Sequence, residues 1–192
     1  MAQTKLTADT LSVADYLAGE NDGAWRHEFI NGHVFAMAGA SERHGIIRVN
    51  VVGLLNAVAP EQCRVFDGDM KLRIERDDEV RFFYPDAFVS CGDNDDKQYF
   101  RTDALVVFEI LSDSTRRLDR FEKFDIYKRL PSLLEYVLIE QDMPRVEVYR
   151  RRASWRGEVY VPGDNVVLES LAQTFTFDQI YRRASLALSP SG

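Results

Sequence analysis

The sequence has little that would tie it to a membrane, to sulfur-bound metal or to a nucleotide. Its 192 residues include two cysteines, Cys63 and Cys91, at no metal-ligand spacing, so zinc chemistry has no basis and a reduced, cytoplasmic protein is expected. No apolar run is long enough to cross a bilayer, and no basic segment followed by an apolar one opens the chain. Glycine-rich phosphate loops, internal repeats and low-complexity tracts are missing as well. Positive charge is scarce: 24 Lys and Arg face 31 Asp and Glu, a formal net charge of -7. A nucleic-acid interface would therefore need a local basic patch. What remains is an ordinary globular composition, 45% hydrophobic and 29% charged. At this length it predicts one domain over residues 1–192, with a core over about 12–181 and a tail at 184–192.

The organising stretch is Ala104 to Leu111, ALVVFEIL, an apolar run with one carboxylate, Glu109, inside it. Free of Gly and Pro and rich in β-branched and aliphatic residues, it suits a strand buried on both faces. Leu105, Val107, Glu109 and Leu111 share one face, and Val106, Phe108 and Ile110 the other. An ionised carboxylate in such a strand is costly unless it is paired, hydrogen-bonded or bound to a cation. Glu109 therefore calls for a partner.

Taken in order, Leu11 to Glu20 reads as a short helix capped by Ser12, with Asp15 completing a capping box. Asn31-Gly32 between two β-rich runs predicts a hairpin whose first strand carries Glu28, which alone reads as solvent-facing. Ser41 caps a helix to about Ala59, with His44 in its first turn as polar surface; His27 and His33 are expected to face solvent. Met70 to Glu75 alternates, residues 76–79 turn, and Tyr84-Pro85-Asp86 opens a strand over Ala87 to Cys91. Gly92 to Thr102, with Asp93, Asn94, Asp95 and Asp96, reads as a solvated loop. After the central strand a helix is predicted over about Asp119 to Leu130, closed by Pro131. Glu135–Ile139 and Val146–Arg150 follow as an antiparallel pair, then weaker strands over Trp155 to Leu168 and a helix over Phe177 to Arg183. Hairpins around one strand–helix–strand unit predict a mixed α/β (α+β) fold, with a mixed sheet flanked by helices.

Around the Asp119–Leu130 helix, at roughly 100° per residue, Phe121, Phe124, Ile126, Tyr127 and Leu130 form an apolar arc with Lys123 in its middle. A lysine so placed either answers Glu109 or pairs with Asp119 at i,i+4, its stem on the core and its ammonium reaching solvent. Asp86, after Pro85, reads alone as a turn residue. Two carboxylates on neighbouring strands can nevertheless hold a hard cation such as Mg²⁺, and a nearby lysine can stabilise charge on a phosphate.

Pro85-Asp86, then Glu109-Ile110-Leu111-Ser112, Asp119-x-x-x-Lys123-x-x-x-Tyr127 and Glu135-Tyr136, together with Glu28 before Asn31-Gly32 and His44 opening its helix, resemble the Uma-two family. That family belongs to the PD-(D/E)-x-K nuclease superfamily of restriction-endonuclease-like folds, and the resemblance spans roughly Ser12 to Tyr181. The superfamily lysine position, two residues after the glutamate, is Leu111 here; the family pattern supplies the lysine from the following helix as Lys123. The resemblance implies a Mg²⁺- or Mn²⁺-dependent endonuclease acting on DNA, with Asp86, Glu109 and the Ile110 carbonyl as metal ligands. Lys123 would orient the attacking water, and Glu28 would hold a second metal or a ligating water. Arg116, Arg117, Arg120, Lys128 and Arg129 would face DNA, since residues 114–130 carry six basic against three acidic side chains. A homodimer is expected through the β-rich C-terminal extension, with Tyr149, Trp155, Tyr160 and Val161 on sticky edges. The alternative is a catalytically silent nuclease-fold module for binding or assembly, or a nuclease that works only with a protein partner.

Overall fold

The computed structural model describes residues 10–23, 25–37, 39–92, 99–112, 116 and 118–186. The predicted loop residues Asp93, Asn94, Asp95 and Asp96, the predicted DNA contact Arg117 and the tail from residue 187 lie outside them. Helix α1 (Val13–Asp22) has the expected Ser12 cap, its Oγ accepting from the Asp15 N–H, but the Asp15 carboxylate accepts from the Ser12 hydroxyl in place of the return bond of a capping box. Strands β1 (His27–Ile30) and β2 (His33–Ala36) form the hairpin, with φ of 47° at Asn31 and 88° at Gly32. Both turn residues thus take the left-handed backbone that Asn-Gly tolerates. Helix α2 (Glu42–Val58) is capped by the Ser41 hydroxyl and buries Ile47, Val51 and Leu55.

Strand β3 (Arg64–Asp67) precedes the hairpin of β4 (Lys71–Arg76) and β5 (Glu79–Phe83), which turns on Asp77 and Asp78. Then come β6 (Ala87–Ser90), the short β7 (Phe100–Arg101) and β8 (Val106–Leu111), the predicted central strand, buried at all six positions. Residues Leu118–Lys123 wind as a π-helix into a single α-helical turn, α3 (Phe124–Tyr127), where the sequence predicted one continuous α-helix. The wider winding alters the phase. Phe121, expected in the apolar arc, is 61% exposed. Strands β9 (Glu135–Glu140) and β10 (Val146–Arg150) are the expected antiparallel pair. The chain closes with β11 (Gly157–Tyr160), β12 (Asn165–Leu168), β13 (Gln173–Thr176) and α4 (Phe177–Ile180), which begins with a Thr176/Gln179 capping box.

Hydrogen bonding divides these strands into two mixed sheets and one antiparallel pair, flanked by helices. The main sheet runs β11-β10-β9-β8-β6-β3, and β8 pairs parallel with β9 and antiparallel with β6. The second runs β2-β1-β5-β4-β7, and β12-β13 form a third. The period-2 reading holds over Val106–Leu111 but not for Leu105, which precedes the strand and packs with the opposite face. Val106, Phe108 and Ile110 pack with α2 and the C-terminal strands, while Val107 and Leu111 pack with Phe124, Tyr127, Leu130 and Tyr136. Ala184 is still buried in this core, so packing continues past residue 181.

The cysteine expectation is corrected: Cys63 and Cys91 form a disulfide, with Cα atoms 4.1 Å apart. Arg64 pairs with Ser90 in the β3–β6 ladder, and the cysteines occupy the next antiparallel rung. Cross-strand register, which the spacing does not reveal, makes them neighbours.

Candidate active site

Strand β8 carries Glu109 toward α3, with 3% of its surface exposed. Asp86 lies just before β6, beside β8 in the main sheet. Its Oδ2 accepts from the Ile110 N–H at 2.8 Å, and its own N–H approaches Glu109 Oε2 at 3.4 Å. His44 Nε2 stands 3.2 Å from the same Asp86 oxygen. His44 is therefore no idle surface residue. Position Ser41+3, in the first turn of α2, aims it across the sheet end at Asp86.

Lys123 closes the π-helical segment and is buried, with its ammonium among three carboxylates. Nζ lies 2.8 Å from Glu28 Oε1, 3.2 Å from Asp119 Oδ1 and 3.8 Å from Glu109 Oε1. The ammonium does not reach solvent, as a plain surface pair with Asp119 would require: it keeps that i,i+4 partner but is buried and also points at Glu109. The Asp119 contact is an ion pair without the alignment of a hydrogen bond, since its Oδ1 has no such partner. Glu28, which read as solvent-facing, is 1% exposed and comes from the second sheet to hold the lysine. Tyr127 donates its hydroxyl to Glu109 Oε1 at 2.9 Å, and Tyr136 donates to the Asp119 carbonyl at 2.8 Å, fixing the π-helical turn. Sequence reasoning missed Asp119 as a buried member. The signal was present in Asp119-x-x-x-Lys123, because a buried lysine carries its i−4 partner inward with it.

The electrostatics follow from this crowding. Burial pushes the Glu109 carboxyl well above its usual range; Lys123 opposes that, and Asp119, Asp86 and Glu28 reinforce it. Burial works against the Lys123 ammonium, but Asp119, Glu109 and Glu28 outweigh it and raise its pKa well above the normal value. Tyr127 and Tyr136 are likewise pushed up, first by burial and then by Glu109, so both stay protonated as donors.

The predicted basic face is largely occupied. Arg116 and Arg120 reach Glu140 at 2.9 and 3.1 Å, and Arg120 also reaches Glu147 at 2.6 Å. Lys128 meets Asp125 at 2.5 Å and Arg129 meets Glu79 at 3.2 Å. An outer groove of about 410 Å³ is lined by Arg120, Phe121, Phe124, Asp125, Lys128 and Tyr149, and none of the carboxylates around Lys123 lines it. Of the predicted sticky residues, Tyr149 and Trp155 pack against the Phe124–Tyr136 cluster and Tyr160 is buried; Val161 is 47% exposed. His27 is partly buried, with Nδ1 2.7 Å from Glu20.

Among the described residues no three His, Cys, Asp or Glu side chains are grouped as a ready metal cage. Asp86 and Glu109 nevertheless offer hard oxygen donors side by side, and burial, with the neighbouring carboxylates, destabilises Glu109 as an anion despite Lys123. That donor set fits Mg²⁺, which is bound through one or two carboxylates and keeps several waters.

The chain is 31% identical to one uncharacterized protein of Synechocystis over 176 residues, covering 90% of this chain and 92% of that one. It is 34% identical to a second from the same organism over 149 residues, covering 76% and 83%. The fold matches the crystal structure of a protein from Anabaena variabilis described as a "putative nuclease belonging to DUF820", with a TM-score of 0.66 and 19% identity, over 83% of this chain and 91% of that one. The profile of the Uma2 family, described as "Putative restriction endonuclease", matches residues 13–181, and with Asp86, Glu109 and Lys123 brought together inside that span the chain belongs to this family.

Proposed function

We propose that this protein is a divalent-metal-dependent endonuclease that hydrolyses DNA phosphodiester bonds. The observation that carries the reading is the convergence of Asp86, Glu109 and Lys123 from three elements, with Lys123 Nζ 3.8 Å from Glu109. Asp86, Glu109 and the Ile110 carbonyl would hold Mg²⁺ or Mn²⁺. When bound, the cation would polarise the phosphate and acidify a water. Lys123, held by Glu28 and Asp119, orients the attacking water and meets charge developing on the phosphate oxygens. Glu28 acts here through the lysine. His44 and the Ile110 N–H fix the Asp86 carboxylate, so ligand geometry is set before substrate arrives.

Supercoiled plasmid, linear duplex and single-stranded DNA incubated with Mg²⁺ or Mn²⁺ test the reading. Cleavage that stops with EDTA and is lost in Asp86→Asn supports it; intact DNA in all arms overturns it. The silent-module alternative is favoured by one observation: the predicted DNA-facing cations Arg116, Arg120, Lys128 and Arg129 each already reach a carboxylate. DNA would have to exchange for those partners. A homodimer through the β11 edge, where Val159 and Val161 are exposed, would place two such sites on a duplex, and sedimentation at micromolar concentration tests it.

A further inference from the structure

A DNA-cutting site built from four carboxylates needs a cation that is free to take the phosphate. Most buried or half-buried Lys and Arg among the described residues are committed to a carboxylate. Arg151 donates to three backbone carbonyls, and the Lys71 ammonium lies 5.4 Å from the centre of the Tyr84 ring. Arg48 is the exception. It is half-buried, and among the described residues it makes no hydrogen bond or ion pair.

Its position is informative. Arg48 follows His44 by one turn of α2, so both share a helix face, and His44 reaches Asp86 at 3.2 Å. The guanidinium rests over Gly68, where a Cβ would lie 2.8 Å from Nη1. Gly68 directly follows Asp67, whose cross-strand partner is Ala87, so this rung adjoins Asp86. The glycine thus leaves room for the arginine at the rim of the carboxylate site. The two acids of this turn are engaged elsewhere. Asp67 Oδ1 accepts from the Asp69 N–H at 3.2 Å, and Asp69 meets Arg26 at 3.5 Å.

We propose that Arg48 is the phosphate-binding residue of this site, its guanidinium taking the non-bridging oxygens of a phosphodiester and presenting them to Asp86 and Glu109. The planar fork of arginine suits two phosphate oxygens at once, and a positive charge here offsets the repulsion that the carboxylates would exert on the substrate. The inference rests on the nuclease reading for DNA as the phosphate source, but phosphate binding can be measured without cleavage.

Calorimetry with inorganic phosphate, and anisotropy of a labelled short duplex with Ca²⁺ present, test it on the wild type, Arg48→Gln and Gly68→Ala. The wild type should bind both probes, and Arg48→Gln should weaken both by about ten- to hundredfold, the loss typical of one charged hydrogen-bonding group. Gly68→Ala, which pushes the guanidinium aside while leaving its charge, should fall between them. It also carries the test should Arg48→Gln reduce the folded yield. A wild type that binds neither probe, or an Arg48→Gln protein that binds both as tightly, overturns the proposal. Phosphate binding through Arg48 without DNA cleavage would support this inference while overturning the nuclease reading. Cleavage undiminished by Arg48→Gln would do the reverse.

Discussion

Two buried glutamates on adjacent strands, Glu109 on β8 and Glu135 on β9, show how differently one side chain can be housed. Glu135 is 1% exposed and surrounded by donors: Arg150 Nε at 2.9 Å, the N–H groups of Glu169 and Ser170 at 3.1 and 2.9 Å, and the Ser170 hydroxyl at 2.5 Å. Arg150 in turn reaches Glu158, Tyr160 and the Val167 carbonyl. Nothing there is left wanting, and the cluster staples the C-terminal strands to the main sheet. Glu109 is 3% exposed but has one short hydrogen bond, from Tyr127; its other neighbours stand at 3.4 and 3.8 Å, and Asp119, Asp86 and Glu28 crowd it with like charge. A buried carboxylate ringed by close donors is architecture, whereas one with few donors and like charges around it is a candidate functional site.

The comparison can be broken most directly at Arg150. Arg150→Met strands Glu135 without its cation and should lower unfolding stability by about 3–5 kcal/mol in urea titrations. A change below about 1 kcal/mol would deny the cluster its structural role. At the other site the decisive loss should be of rate. Lys123→Met should lower DNA cleavage by about 10²–10³-fold while metal binding, followed by calorimetry, persists. Equal cleavage by the variant would remove Lys123 from the chemistry.

Next in size is the response to metal. Mg²⁺ or Mn²⁺ at a hundredfold excess over its dissociation constant should add about 2.7 kcal/mol of stability, and Asp86→Asn should abolish the gain. The same titration should leave the melting of Arg150→Met offset from wild type by an unchanged amount, because that cluster has no place for a cation.

The smallest effect is a pH dependence in metal-free buffer. The Glu109 pKa is raised on folding, so the folded chain binds more protons than the unfolded one above the ordinary carboxyl value of 4.5. Its contribution to stability is therefore complete below that pH and is lost as pH rises through the folded pKa. Glu109→Gln should melt higher than wild type at neutral pH, with the gap closing toward pH 4.5. A constant gap across that range would mean that Glu109 is not the titrating group.

Much of this was legible in the residues. The β8 run, the Asn31-Gly32 hairpin, the Ser41-capped helix and the β9–β10 pair follow from periodicity and turn chemistry, which act over a few neighbouring residues. So did the need of Glu109 for a partner, since an isolated buried carboxylate is costly in any fold. Phe121 escaped that reasoning because a π-helical turn changes the winding on which the apolar arc was drawn. Cys63 and Cys91 escaped it because their meeting depends on the β3–β6 register.

The sequence by itself determined most of the elements and the family pattern, and it singled out Glu109 by the cost of burial and Lys123 by its place on a helical arc, because these are written in local spacing; Asp86 stood out only through the family pattern. Only the tertiary structure decided that Glu28 turns inward from the second sheet to meet Lys123 and that His44 reaches Asp86. It also decided that the helix arginines are spent on Glu140 and Glu147. Those contacts join residues tens of positions apart, and no local rule of charge or periodicity states which carboxylate a distant cation will meet.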